Sequence, residues 1–335
     1  MMKIIESYTG FQPLEEVWIG GTYPEKFYSN LPQDLCETFA KITQETAQSF
    51  ENLEKKLIEL GVKVQKPKFT EHLIDYQDAL GNLIKPPVCP RDWAITIGNQ
   101  LWINPYGYQE DPYQHVIDEY RKNGEHVEVL DREKDHRAWL GFSCMVQLGK
   151  KIIIDTQYIM PNPENKSHIM NATMRLQDDG YEVQLVTQGR HNNNTFCPIK
   201  KDVIFCGDGE EKDFYNKSVP GWEIFQANYP KTKGNERWWS PENDYYSPIF
   251  NKKVLDDARE WVADSSASGF LLNMLVVDEK NVICIAEHDE VFKKMQQLGI
   301  TPHVVDFPTG TFWDGGIHSV TLDIRRSGGC LKYFK

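Results

Sequence analysis

No stretch of this chain is long and apolar enough to cross a membrane: the most apolar run, around Phe270 to Val277, is broken by Asn273 and falls far short of a bilayer. A cationic excess is missing too. Lys and Arg number 37 against 49 Asp and Glu, a formal charge of −12, which argues against the phosphate-tracking surface of a nucleic-acid binder. The opening segment, Met1 to Gly10, is polar and lacks the apolar heart of a secretion signal. The 7 cysteines, Cys36, Cys89, Cys144, Cys197, Cys206, Cys284 and Cys330, are odd in number and scattered, with no Cys-x-x-Cys pair and no His spacing typical of zinc. A cytoplasmic protein without metal is therefore expected. No Ser/Gly/Pro-rich linker interrupts the chain, so its 335 residues are expected to form a single domain, 1–335.

What is present is a repeated alternation of β-rich runs and amphipathic helices. The strand Leu14 to Gly20 precedes a helix from Asp34 to Leu60, in which Phe39, Ile42, Phe50, Leu53, Leu57 and Leu60 form an apolar stripe that only Thr46 interrupts. Gly61 stops it and Val62 to Val64 begins the next strand. The second unit reads Trp93 to Ile97, Gln100 to Ile103, the helix Pro112 to Asn123, Gly124, and His126 to Leu130. The third reads Cys144 to Gln147, Lys151 to Asp155, a helix near Ser167 to Asp178, Gly180, and Glu182 to Val186. A fourth starts at Thr195 and Val203 but crosses an aromatic stretch, Trp222 to Phe250, before a helix at Val254 to Trp261. The fifth is regular again: Leu272 to Val277, Val282 to Ala286, helix Asp289 to Leu298, Gly299, and His303 to Val305. A ββαβ unit returning about every fifty residues predicts a ring of repeated units, with an ordinary mixed-sheet α/β fold as the alternative.

Three polar segments stand at strand ends, where α/β sites are usually assembled. Cys89-Pro90-Arg91-Asp92 precedes one strand, and its Arg-Asp pair reads either as a structural ion pair or as part of a site. Gly189 to Phe196 holds His191 among three asparagines, which suits a simple turn and equally a general acid/base with neighbours that set its tautomer. The third, Phe312 to Ser319, carries Gly315-Gly316 before His318-Ser319 and leads into Val320 to Arg326. A hydrolase triad is a weak reading of that pair. No GxSxG is present, and adjacent strand residues face opposite sides, so His318 is poorly placed to activate Ser319.

Ser7-Tyr8, Pro13 to Val17 with Ile19-Gly20, Cys89 to Asp92 through Gly98-Asn99, His191 with Thr195-Phe196, Asn273 with Asp278 to Lys280, and Gly315 to His318 through Asp323 to Arg326 together resemble arginine:glycine amidinotransferases. The match runs in order over nearly the whole chain. The resemblance implies the pentein fold, a five-bladed α/β propeller with its site in the central channel. It also implies an activity: a cysteine thiolate attacks the guanidino carbon of a donor, an amine leaves, and an acceptor amine takes the amidino group, without a cofactor. Carried over by position, Asp92 holds the guanidinium, His191 is the acid/base, and Ser319 stands where the cysteine would be. Substrate contacts fall to Arg190, Asn193, Cys144, Ser266, Asn273, Gly316 and His318. The partners implied are a small guanidino donor and an amine acceptor, with neither nucleic acid nor membrane, and a homodimer is one of the states the resemblance allows.

Departures from the pattern bear on the substrate. The second carboxylate falls near Gly141 to Cys144, where none exists, the Asp two positions after the His is Asn193, and a carboxylate-binding arginine falls in Asp208 to Glu211. Arg190 is a new cation. A hydroxyl has no thiolate-like fraction at neutral pH, so Ser319 is either a natural loss or a replacement for cysteine. A hydrolase of the same fold and a ligand-binding pseudoenzyme are the alternatives.

Overall fold

The computed structural model describes residues 3–29, 33–77, 83–104, 111–156, 163–187, 196–207, 212–227, 261 and 271–334. Within these, fifteen strands form five sheets of three, each built from an inner, a middle and an outer strand. β3 (Ala94–Ile97), β4 (Gln100–Ile103) and β5 (His126–Val129) make one sheet, and β6 (Met145–Leu148), β7 (Lys151–Asp155) and β8 (Glu182–Val186) the next. β9 (Cys197–Lys200), β10 (Val203–Gly207) and β11 (Glu223–Ala227) follow, then β12 (Leu275–Val276), β13 (Asn281–Cys284) and β14 (Thr301–Val304). The remaining sheet joins both ends of the chain: β15 (Thr321–Arg326) pairs antiparallel with β1 (Leu14–Ile19), Val17 opposite Asp323, and β1 pairs parallel with β2 (Lys63–Gln65). In every sheet the inner strand is antiparallel and the outer strand parallel to the middle one. That is the expected ββαβ repeat, in the five-bladed α/β propeller.

Each middle strand reaches its parallel partner through a crossover, as parallel pairing requires. Gln33–Glu59, Gln114–Lys122, Pro163–Asp178 and Asp289–Gln297 supply four of these helices. Gly61, Gly124, Gly180 and Gly299 follow them with φ between 75° and 83°, the left-handed backbone that ends a helix at least cost with glycine.

The fourth unit differs from the sequence reading. Its crossover helix is Lys212–Ser218 and its outer strand is β11, both earlier than the helix expected at Val254 to Trp261, of which only Trp261 lies within the described residues. The reason is local: Gly221, with φ 85°, ends this unit's helix as the other glycines end theirs, and Phe205 and Phe225 on paired strands hold the blade together.

The interruption at Thr46 has a structural cause. Its hydroxyl donates to the Ile42 carbonyl at 2.6 Å, lies 2.8 Å from the Thr309 hydroxyl, and accepts the indole N–H of Trp313 at 2.9 Å. Phe39, Ile42, Phe50, Leu53 and Leu57 bury the rest of the helix face against Phe307, Phe312, Trp313 and Ile317. One polar side chain inside an apolar seam thereby holds Thr309 and Trp313 at the two ends of the turn Gly310–Trp313, which leads directly into Gly315 to Ser319.

Candidate active site

The starts of the inner strands gather most of the described candidate residues. Asp92 ends a helical turn, Pro90–Asp92, immediately before β3, Cys144 ends another, Phe142–Cys144, before β6, Asn273 lies just before β12, and Ser319 just before β15. His191, Arg190, Asn193 and Ser266 lie outside the described residues.

Asn273 and Ser319 form the best-defined contact. The buried amide Nδ2 of Asn273 donates to Ser319 Oγ at 2.9 Å, and its Oδ1 accepts the Ser319 backbone N–H, also at 2.9 Å. The second bond settles the first: a backbone N–H can only donate, so Oδ1 must face it and the NH2 end must face the hydroxyl. Oγ therefore accepts there, and its own proton points elsewhere. The Asn273 carbonyl in turn accepts the His318 N–H at 3.1 Å. Gly316 makes this grip possible. A Cβ at that position would lie 2.7 Å from Asn273 Cβ and 2.9 Å from its Oδ1, closer than real Cβ contacts allow. Gly315 admits Cys89 in the same way, since a Cβ there would meet Cys89 Sγ at 2.6 Å and Ser319 Cβ at 3.1 Å.

Neither nearby cysteine offers a ready thiolate. Burial, reinforced by Asp92, pushes the Cys89 thiol far up, and it points at the Trp313 carbonyl at 3.6 Å. Burial pushes Cys144 up to about 12, with the charge of Asp155 adding to it. Cys144 is thus a packing thiol at the position where the second carboxylate was sought. Asp92 is exposed.

The structure corrects the pairing of Arg91. Its partner is Asp323 rather than the adjacent Asp92: Arg91 Nη2 donates to Asp323 Oδ1 at 2.9 Å, while its Nε donates to the carbonyls of His318 at 3.0 Å and Thr321 at 3.1 Å. Arg326 takes the other oxygen, Nε to Asp323 Oδ2 at 2.7 Å, and donates to the Val276 carbonyl at 2.8 Å and to the Gln12 carbonyl. This cluster ties the turn bearing Asp92 to β15, the strand that follows Ser319. Burial alone would raise the Asp323 carboxyl, but the charges of Arg326 and then Arg91 outweigh it and hold the group far below the usual carboxylate range. A folded-state value below the unfolded one means that the contribution is present above the ordinary Asp value of about 4 and is lost as pH falls further. Asp323→Asn leaves two buried guanidinium groups without their carboxylate and is expected to cost about 3–5 kcal/mol, read from the urea midpoint at neutral pH. An unchanged midpoint would show that the cluster does not brace the site.

His318 is turned away from this grip. Burial, then the charge of Arg91, pushes its imidazole well below its ordinary value, so it is neutral at pH 7, and its Nδ1 has no partner among the described residues.

Over its full length the chain is similar to known proteins. The mitochondrial glycine amidinotransferase of Xenopus laevis is 34% identical, over 98% of this chain and 84% of that protein. The chain belongs to the glycine amidinotransferase family. SxtG, an amidinotransferase from Microseira wollei in a saxitoxin biosynthetic pathway, superposes with a TM-score of 0.73 at 19% identity, covering 98% of this chain and 99% of that one. The inosamine-phosphate amidinotransferase StrB1 from Streptomyces griseus gives 0.70 at 15% identity over 99% of each. These two likenesses confirm the amidinotransferase, or pentein, fold. No family model matches the chain. Among the described residues no helix is long and apolar enough to cross a membrane, and no group of three or more His, Cys, Asp or Glu could hold a metal ion.

Asn273 was legible as a family position, but its two-point hold on Ser319 was not. A serine two residues after Gly-Gly-Ile, facing a polar Asn in an otherwise apolar strand run, is the signal that marks such a pair.

Proposed function

We infer that this chain carries an amidino-transfer site centred on the side chain of residue 319, acting on a guanidino donor and a small amine. The observation that supports this most is the Asn273 amide donating to Ser319 Oγ, because a donor aimed at a nucleophile favours its anionic form. In the proposed reaction the nucleophile attacks the guanidino carbon held by Asp92. The bond from that carbon to the leaving amine breaks, and His191 gives the amine its proton. The acceptor amine then attacks the same carbon, His191 takes the acceptor's proton, and the nucleophile leaves restored.

The donor differs from free arginine in this reading. Gly141 to Cys144 and Asn193 lack carboxylates, Arg190 adds a cation, and Asp208, Glu210 and Glu211 stand where a carboxylate-binding arginine was expected. A guanidino compound with an anionic group near Arg190 fits that distribution. Ser319 also favours a second reading, ligand binding without turnover, since a hydroxyl is a poor nucleophile at neutral pH.

The division between the two histidines tests the assignment. In a Ser319→Cys background, His191→Ala is expected to abolish transfer with donor binding retained, and His318→Ala to leave most of it. Rates would be followed by amine release, and equal losses would refute the assigned roles.

A further inference from the structure

A cavity lies among the inner strands. Its volume is about 70 Å³, and all five inner strands contribute to its wall, among them Thr96, Gln147, Pro198, Val276 and Asp323. Ser7, Thr9 and Gly10 also line it, and Ser7 and Gly98 exchange backbone bonds at 2.7 and 2.9 Å where β3 ends, so the N-terminal segment forms part of its wall. Its wall also holds Arg91, Met274 and His318, the chain neighbours of Asp92, Asn273 and Ser319, but none of those three. Of the described candidate site residues, His318 alone lines it.

Its chemistry is donor-rich and cationic. Arg91 and Arg326 share one carboxylate, Asp323, and each oxygen of Asp323 is already engaged by one of them. Asp92 also lies near Arg91, but it is exposed and its charge is screened by solvent. Arg91 Nη1 makes no hydrogen bond among the described residues, and neither does the buried Thr96 hydroxyl. The Ser7 hydroxyl likewise has no partner among them, although Ser7 is only 5% exposed. Thr9 Oγ1 on the wall already accepts from the Gln12 N–H at 3.0 Å, and Gln147 donates its amide N–H to the Gly149 carbonyl at 3.1 Å. Water alone would satisfy the hydroxyls but not the surplus buried charge, whose uncompensated cost is several kcal/mol.

We propose that this chamber is a binding site for one small monovalent anion of halide size, held by the Arg91 guanidinium and the hydroxyls of Thr96 and Ser7. The chamber is large enough for such an ion with water beside it. The proposal does not depend on which reaction occurs at Ser319.

Crystals of the full chain grown without halide and soaked in sodium bromide would be measured at the bromine absorption edge. One anomalous peak in the chamber beside Arg91 is expected, and its absence from a chamber filled with water would overturn the proposal. In solution the thermal midpoint is expected to rise with bromide at constant ionic strength, logarithmically once the dissociation constant is passed, with methanesulfonate as the balancing anion. Thr96→Val should weaken that dependence. Acetate raising the midpoint as much as bromide would refute the halide assignment, as would a native protein indifferent to bromide. The soaked native crystal decides the matter even where Thr96→Val fails to fold.

Discussion

Ser319→Cys is expected to raise amidino transfer by about three orders of magnitude or more over the serine form at neutral pH, measured as label moving from a guanidino donor to an amine. The expectation rests on position and chemistry together. Residue 319 lies just before β15, at the end of the ring that also carries Asp92 and Asn273, and its Oγ already accepts a hydrogen bond from an amide whose orientation the backbone dictates. A hydroxyl gains little from that donor because its anion is scarcely populated. A thiol has an appreciable thiolate fraction at pH 7, and the same donor stabilises it further. A rate within tenfold of the serine form would mean that residue 319 is not the nucleophile, or that the chain has lost transfer for another reason.

Asn273→Asp in that background is expected to lower transfer at pH 7 by about tenfold to a hundredfold, the range set by losing a hydrogen bond to a charged group. The sign follows from the geometry. Oδ1 would still accept the backbone N–H of residue 319, but the other oxygen would face the sulfur with a negative charge where a donor had been. A carboxylate beside a thiol raises the thiol's pKa, so the rate–pH profile should move to higher pH, with activity recovered on the alkaline side. A merely structural role would lower the rate equally at every pH. Asn273→Gln separates the cases further, because it keeps the amide but lengthens the reach in a site that is fully buried, with Asn273 at 0% exposure.

Much of this architecture was legible in the chain because the repeat is written in local chemistry. Strand, strand, helix and a glycine in left-handed backbone recur at Gly61, Gly124, Gly180 and Gly299, and each stop falls where the sequence reading placed it. The fourth unit escaped because its helix, Lys212–Ser218, is short and polar, and the aromatic run after it drew attention downstream. Gly221 was the overlooked mark. The Arg91–Asp323–Arg326 cluster escaped for a different reason. Sequence proximity suggested Arg91 with Asp92, whereas ring closure brings β15 against the turn before β3, so the true partner lies 232 residues away. Thr46 is the instructive case, since a polar residue that looked like a flaw in an apolar stripe proved to hold Trp313. Long-range pairing of buried polar groups leaves no periodic trace, and only the folded chain reveals it.

The central claim is that the side chain at position 319 takes an amidino group from a guanidino donor. Its most direct test is mass spectrometry of the Ser319→Cys protein, quenched in acid after incubation with arginine or another guanidino compound and no acceptor. A mass increase of one amidino group is predicted, carrying label from the guanidino carbon and mapping to the peptide that contains residue 319, and it should disappear when an acceptor amine is added. A stable protein that binds the donor yet shows no such adduct, or carries it on Cys89 or Cys144 instead, would contradict the account.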